Sequence, residues 1–273
     1  MKRHLTVIAA LLSAVCAMAQ KTPGEFKADY DRQVAAVGTS GLGVKGILEE
    51  WNAAWPDDTT MLECCFAYFL SKGREVVIEP RSGKKYLGKA PAFTFKDTTD
   101  TDVFFYEIPV YDETLFARSQ ECITRAIKLA PDNLGYRFDE VAALLDYERE
   151  SPDMAAAALI ETIEYNYSAK PSWNANGGIL SQEDFRLGIM EYCYMFFQLG
   201  TPSGYENFKR ISETMLRHEP KDTGFIDNIG AYWQIYKKDY KKATKFYKKA
   251  LKINPEDYPS ITNLRIISKI TKK

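Results

Sequence analysis

Residues Gly224–Pro255 read GFIDNIGAYWQIYKKDYKKATKFYKKALKINP. A first helix carries Asn228, Ile229, Gly230 and Trp233. A tight turn follows at Lys238-Asp239-Tyr240, and a second helix carries Ala243, Tyr247 and Ala250 before Pro255 stops it. The small residues mark places where two helix axes come within roughly 8–10 Å of each other. The large ones fill the gaps on either side. A single hairpin of this kind cannot bury its own apolar face, so neighbouring hairpins must pack against it.

The window resembles the tetratricopeptide repeat (TPR), a helix hairpin of about 34 residues. Outward from it, prolines with acidic residues close behind recur at Pro56-Asp57-Asp58, Pro131-Asp132, Pro220-Lys221-Asp222 and Pro255-Glu256-Asp257. They fall where a second repeat helix should end. The resemblance implies an all-α TPR-like solenoid of about five helix pairs. These are Gly24–Val37 with Gly43–Trp55, Thr59–Lys72 with Asp112–Ala130, Leu134–Glu148 with Pro152–Tyr165, Gln182–Leu199 with Ser203–Arg217, and the opening window. A capping helix from Pro259 to about Ile270 would close the stack, because terminal repeats need a polar outer face.

Aligning the hairpins puts Cys65, Ala142, Cys193 and Gly230 at the crossing of each first helix, followed three residues on by Tyr68, Leu145, Phe196 and Trp233. On second helices the small sites are Ser119 and Ala126, Ala155 and Thr162, and Ala243 and Ala250. The fourth pair departs from the pattern, with Phe208 and Met215 in those places, and in the first Trp51 stands where Ala is expected.

Two segments interrupt the helical pattern. Residues 168–181, centred on Lys170–Gly178 (KPSWNANGG), read as a linker rich in Pro, Asn and Gly. Residues 74–111 hold three runs rich in β-branched and aromatic residues, at Glu75–Ile78, Ala92–Lys96 and Val103–Val110. They predict a β-hairpin-like insertion, and a long ordered insertion in a repeat protein is often functional.

The first nineteen residues predict a secretory signal peptide: Lys2 and Arg3, then the apolar run Leu5–Val15, then Ala17-Met18-Ala19. Val15 stands where a lipoprotein cleavage box has Gly, Ala or Ser, so cleavage after Ala19 is preferred over lipid anchoring at Cys16. No further segment predicts a transmembrane span. The expectation is an exported chain, periplasmic or extracellular, with residues 20–273 forming one repeat domain.

Without Lys2 and Arg3 the chain has 34 basic and 37 acidic residues, and Lys237–Lys273 holds twelve of the basic but only three of the acidic ones. That basic end invites an acidic partner or an anionic surface. The preferred reading is a solvated helix face, because Lys241, Lys242, Lys245, Lys248, Lys249 and Lys252 avoid the buried stripe of their helix. The acidic remainder and the leader both speak against nucleic acid.

Little in the chain carries catalytic chemistry. Beyond the leader there is one histidine, His218, placed where a cation suits a helix end. Cys64, Cys65, Cys122 and Cys193 form no CxxC and read as small buried residues, though Cys64 or Cys65 could reach Cys122. Gly38–Lys45 is superficially like a phosphate loop but lacks Gly-Lys-Ser/Thr, so it reads as a turn between helices. Asp97, Asp100 and Asp102 lack the Gly and Glu of a calcium loop. Two carboxylates would suffice for a glycosidase, yet no spacing pins two together. The expectation is a non-enzymatic protein with no cofactor and no metal.

The TPR resemblance implies partner binding in a concave groove lined by first helices. Carried over, its positions are Leu62, Phe66 and Phe69; Asp139, Ala143 and Asp146; Met190, Tyr194 and Phe197; and Asp227, Ala231 and Gln234. Such a mixture of aromatics and acids suits a protein or peptide with apolar anchors and a few basic residues. The implied function is an exported scaffold or adaptor that uses this groove or the inserted arm. The alternative is a glycan- or nutrient-binding protein of the cell envelope, with Trp173, Tyr86, Phe93 and Phe105 stacking on sugars.

Overall fold

The computed structural model describes residues 20–175 and 177–272. The expected leader, with Cys16, lies outside them. The described chain is mostly helical (65%), with eleven helices and a small three-stranded antiparallel sheet. It divides into two compact units. Of the described residues, one unit holds those up to Gly73 together with Thr114–Leu129, and the other holds Arg74–Glu113 and those from Ala130 onward.

The first unit is built from α1 (Pro23–Val37), α2 (Val44–Ala54), α3 (Thr59–Gly73) and α4 (Glu113–Leu129, counted here from Thr114). Thr22 and Glu25 start α1 with reciprocal hydrogen bonds, so two otherwise orphaned N–H groups are satisfied. Gly38–Lys45 is the turn into α2, with Gly43 at φ 85°. Trp51 stands in for the expected alanine without disrupting the pair: its ring stacks on Phe26 at 5.8 Å and its indole donates to Asp58 at 2.9 Å. Asp58 also accepts from the Thr60 amide at the start of α3. On α4 the buried stripe is Phe116, Ser119, Ile123 and Ala126.

The second unit begins with β1 (Arg74–Arg81), β2 (Phe93–Lys96) and β3 (Asp102–Tyr111), ordered β1-β3-β2. The expected hairpin is thus a three-stranded sheet, with Val77 opposite Ile108 and Phe93 opposite Phe105. Its helices are α5 (Leu134–Tyr147), α6 (Asp153–Ala169), α7 (Gln182–Gln198), α8 (Pro202–His218), α9 (Thr223–Ala231), α10 (Tyr240–Ile253) and α11 (Tyr258–Thr271). A π-helical turn, Tyr232–Tyr236, prolongs α9. Neighbours in sequence pack together: α5 on α6, α7 on α8, α8 on α9, α9 on α10 and α10 on α11.

The structure accounts for the recurring proline–acid motif. In three of the motifs the residue two positions after the proline caps the next helix: Asn133 for α5, Asp222 for α9 and Asp257 for α11. Proline ends one helix, and the short side chain accepts the first N–H groups of the next.

The segment 168–181 is more than a spacer. Asn174–Ala175 pairs with Gly178–Ile179 as a two-residue ladder. Trp173 is buried to 1% exposure, donates its indole N–H to Asn166 at 2.8 Å and stacks on Phe185 at 5.8 Å. Composition shows a break in helix here; it does not show that one aromatic in the break fills the core.

Candidate functional site

The insertion is fastened to the helices of its own unit at two places. At the base of the sheet, the Asp146 carboxylate of α5 accepts from Tyr111 Oη at 2.5 Å and from Arg74 Nε at 3.0 Å, with Arg149 3.3 Å away. Burial pushes this carboxyl up, and the Tyr111 and Arg74 hydrogen bonds outweigh burial and hold it low. Farther out, the β1–β2 loop leans on the end of α7. Gly88, at φ 76°, lies so close to the Gln198 carbonyl that a Cβ there would come within 2.1 Å of the oxygen. Only glycine allows that approach. Tyr86 adds an O–H donated to Glu150 at 2.6 Å, while its ring contacts Tyr106 at 5.6 Å.

This docking makes a wall. Between the loop (Lys85–Gly88) and the α7–α8 corner lies a cleft of about 700 Å³, lined on the helical side by Tyr194, Phe197 and Tyr205. A second cleft of about 450 Å³ adjoins it, lined by Met190, Tyr194, Phe197, Phe208, Asn228 and Ala231. Tyr194 and Phe197 belong to both. Tyr194 is 59% exposed, a large share for an aromatic surrounded by other aromatics. Phe197 meets Tyr205 at 5.2 Å and Phe208 at 5.1 Å, and Tyr205 stacks on Tyr236 at 4.9 Å. Asn228 steadies one side, donating to Ser212 at 3.1 Å and to Met190 Sδ at 3.4 Å.

The expected groove residues divide into several groups. Met190, Tyr194 and Phe197 come together in these clefts, with Ala231 beside them. Asp146 is committed to holding the sheet, and Asp139 is half-buried, with burial raising its carboxyl. Asp227 and Gln234 are enclosed. Asp227 accepts from Ser260, and burial, followed by a hydrogen bond shared with Asp257, pushes its carboxyl up to about 7. Gln234 accepts from Tyr247 Oη at 2.6 Å. In the first unit Phe66 is buried, while Phe69 faces a pocket with the Arg118 guanidinium 4.1 Å above its ring. Phe208, Tyr205 and Gly88 escaped the sequence reading. By its register Phe208 falls at a helix crossing, and nothing in the local pattern says which helix end receives the loop.

The four aromatics proposed for sugars do not form one platform. Trp173 is in the core. Phe93, Phe95 and Phe105 instead share one face of the sheet with centroids 5.0–5.9 Å apart, and Phe95 is 61% exposed. Val76 and Ile78 are exposed on the same face of β1. The charge-rich edge strand β1 carries Pro80 and four ionic residues, which discourages strand addition there.

Of the remaining motifs, Asp97 accepts from the Thr99 and Thr101 amides and shapes the β2–β3 turn. His218 stacks on Tyr167 at 4.1 Å and pairs with Glu164 at 3.0 Å. The six lysines on α10 lie on its exposed side. Among the described residues no three His, Cys, Asp or Glu gather in a metal-ligating group. None of the described helices is long and apolar enough to cross a membrane. No protein-family model matches the chain, nor does any curated protein.

Proposed function

We propose that this protein is a non-enzymatic binding module, exported to the cell envelope, whose TPR-like helix hairpins hold a protein partner in the clefts around Tyr194. The observation that carries this reading is the aromatic floor shared by two adjoining clefts, exposed yet walled on one side by a loop that glycine locks in place. Apolar side chains concentrated in a concave site favour an amphipathic helix or an extended segment with two or three apolar anchors. The TPR reading rests on the hairpin periodicity and the small residues at the crossings, and the exported location rests on the leader.

A second surface belongs to the same reading. The outer face of the sheet, with Phe95, Phe93, Val76 and Ile78 uncovered, is apolar enough to add to an interface. The test is a cross-linking pull-down from envelope extract with the mature chain, in parallel with Tyr194→Asp and Phe95→Asp. Loss of one captured protein with Tyr194→Asp supports the cleft. Loss only with Phe95→Asp moves the site to the sheet. A captured set unchanged by both substitutions refutes the reading.

A further inference from the structure

The C-terminal end of the second unit presents a surface of another chemistry. On α10, Lys241, Lys245, Lys248 and Lys252 follow one another at helical spacing and make one stripe, with Lys242 and Lys249 beside it. The stripe is about 17 Å long at the helical rise of about 1.5 Å per residue. All six lysines are exposed, while Ala243, Tyr247 and Ala250 on the opposite side of the helix are fully buried. Lys242 lies 4.0 Å above the Trp233 ring and 3.6 Å from Asp239. Among the described residues the other five have no ion-pair partner. The acids nearest in sequence are committed elsewhere: Asp239 and Asp257 accept amides at the starts of α10 and α11, and Asp257 is itself buried. Where α10 ends, the corner into α11 uncovers apolar surface. Ile253, one turn beyond Lys249, is 40% exposed, and Tyr258 is 75% exposed.

We propose that this face of α10, together with the α10–α11 corner, docks onto an anionic phospholipid bilayer. The charge complementarity is one-sided. A row of unneutralised ammonium groups stands on a chain whose remainder is rich in acids, so an anionic surface attracts this end and repels the rest. The residue type selects among polyanions. The face is all lysine with no arginine. Lysine is a mobile point charge, whereas arginine fixes carboxylates and nucleic-acid phosphates through bidentate hydrogen bonds. A fluid headgroup layer asks for charge density rather than fixed geometry.

Tyr258 and Ile253 supply the second element. An amphipathic ring and a short aliphatic chain suit headgroup depth, where the phenol keeps its hydroxyl in water. The apolar stripe of α10 stays in the protein core, so the helix docks through its charged side and does not insert. This docking is independent of what the clefts around Tyr194 hold.

The test is co-sedimentation of the mature chain with vesicles of phosphatidylcholine alone and of phosphatidylcholine with about one third phosphatidylglycerol, at low salt. The expected result is binding to the anionic vesicles only, reversed at about 0.5 M salt, where screening is strong. Combining Lys245→Gln, Lys248→Gln and Lys249→Gln should weaken partition by about tenfold or more, and Tyr258→Ser by a smaller factor. The equally discharged control, Lys72→Gln with Lys84→Gln and Lys128→Gln, should leave partition within about twofold. Far-UV circular dichroism of each variant separates lost docking from unfolding. A chain that stays in solution with anionic vesicles, that binds neutral vesicles equally, that binds undiminished when folded with the three α10 substitutions, or that prefers duplex DNA to vesicles at the same salt overturns the proposal.

Discussion

The hairpins α7–α8 and α9–α10 obey the same sequence rule to different degrees, and their surfaces differ accordingly. In α9–α10, Gly230 lies against the Tyr247 ring so closely that a Cβ would come within 2.5 Å, and Ala243 and Ala250 are fully buried. The helices close on each other at these positions. In α7–α8 the crossing residues of α8 are Phe208 and Met215, both buried, with Ser212 between them. Phe208 fills space that a small residue would have left to the neighbouring backbone. Its far side then becomes part of the cleft floor with Phe197 and Tyr194. A bulky residue at a crossing needs more room between helix axes than a glycine or an alanine does.

This comparison can be broken at its anchors. Trp173→Ala should cost most, about 3–5 kcal/mol in urea-melt stability, since it empties the space beside Phe185 at the foot of α7. A loss below about 1 kcal/mol would mean that the 168–181 segment is not part of the α7 core. Gly230→Ala should cost about 1–3 kcal/mol, because the Tyr247 ring, held by Gln234, must move to admit a methyl group. Neutral stability would show that the closeness of α9 and α10 does not depend on glycine.

The closed hairpin also carries a pH signature. The Asp227 carboxyl, pushed up to about 7, stays protonated in the folded state at pH values where an unfolded aspartate is ionised. Its contribution is present in full below the unfolded value, near 4, and fades as pH rises to about 7. Asp257 works in the opposite sense: burial raises its carboxyl, and hydrogen bonds from Asp227, Ser260 and Thr223 outweigh burial and hold it low. The net expectation is a C-terminal helix docked more firmly at pH 5 than at pH 8, by on the order of 1 kcal/mol in hydrogen exchange of α11. Asp227→Asn should flatten that slope. The smallest stability effect belongs to the open hairpin: Tyr194→Ala should change unfolding by less than about 0.5 kcal/mol, because the side chain is mostly solvated.

The helices and their ends were legible because their signals are local. Capping side chains, prolines and small residues at a fixed spacing act within a few positions of themselves. Of the crossing positions aligned from sequence, Cys193, Ser119, Ala126, Ala155, Thr162, Ala243 and Ala250 are all deeply buried, while Ala142 is only partly buried and the inward role beside it falls to Ala143. The three β-rich runs became three strands for the same reason. What stayed hidden depends on contacts distant in sequence. Gly88 meets Gln198 more than a hundred positions later, and Asp146 is bound to Arg74 and Tyr111. No periodicity within either segment encodes those meetings. Asp227 and Gln234 look like exposed first-helix residues by register, and their burial follows from α11 and from the π-helical turn after α9.

The most direct test of the open hairpin as a binding surface is site-specific photo-cross-linking in the full chain, with a benzophenone amino acid at position 194 and, as control, at position 248 on the solvated face of α10. The account predicts a discrete adduct from position 194 and none of that size from 248. Identical adduct patterns from the two positions, or none from 194, would contradict it.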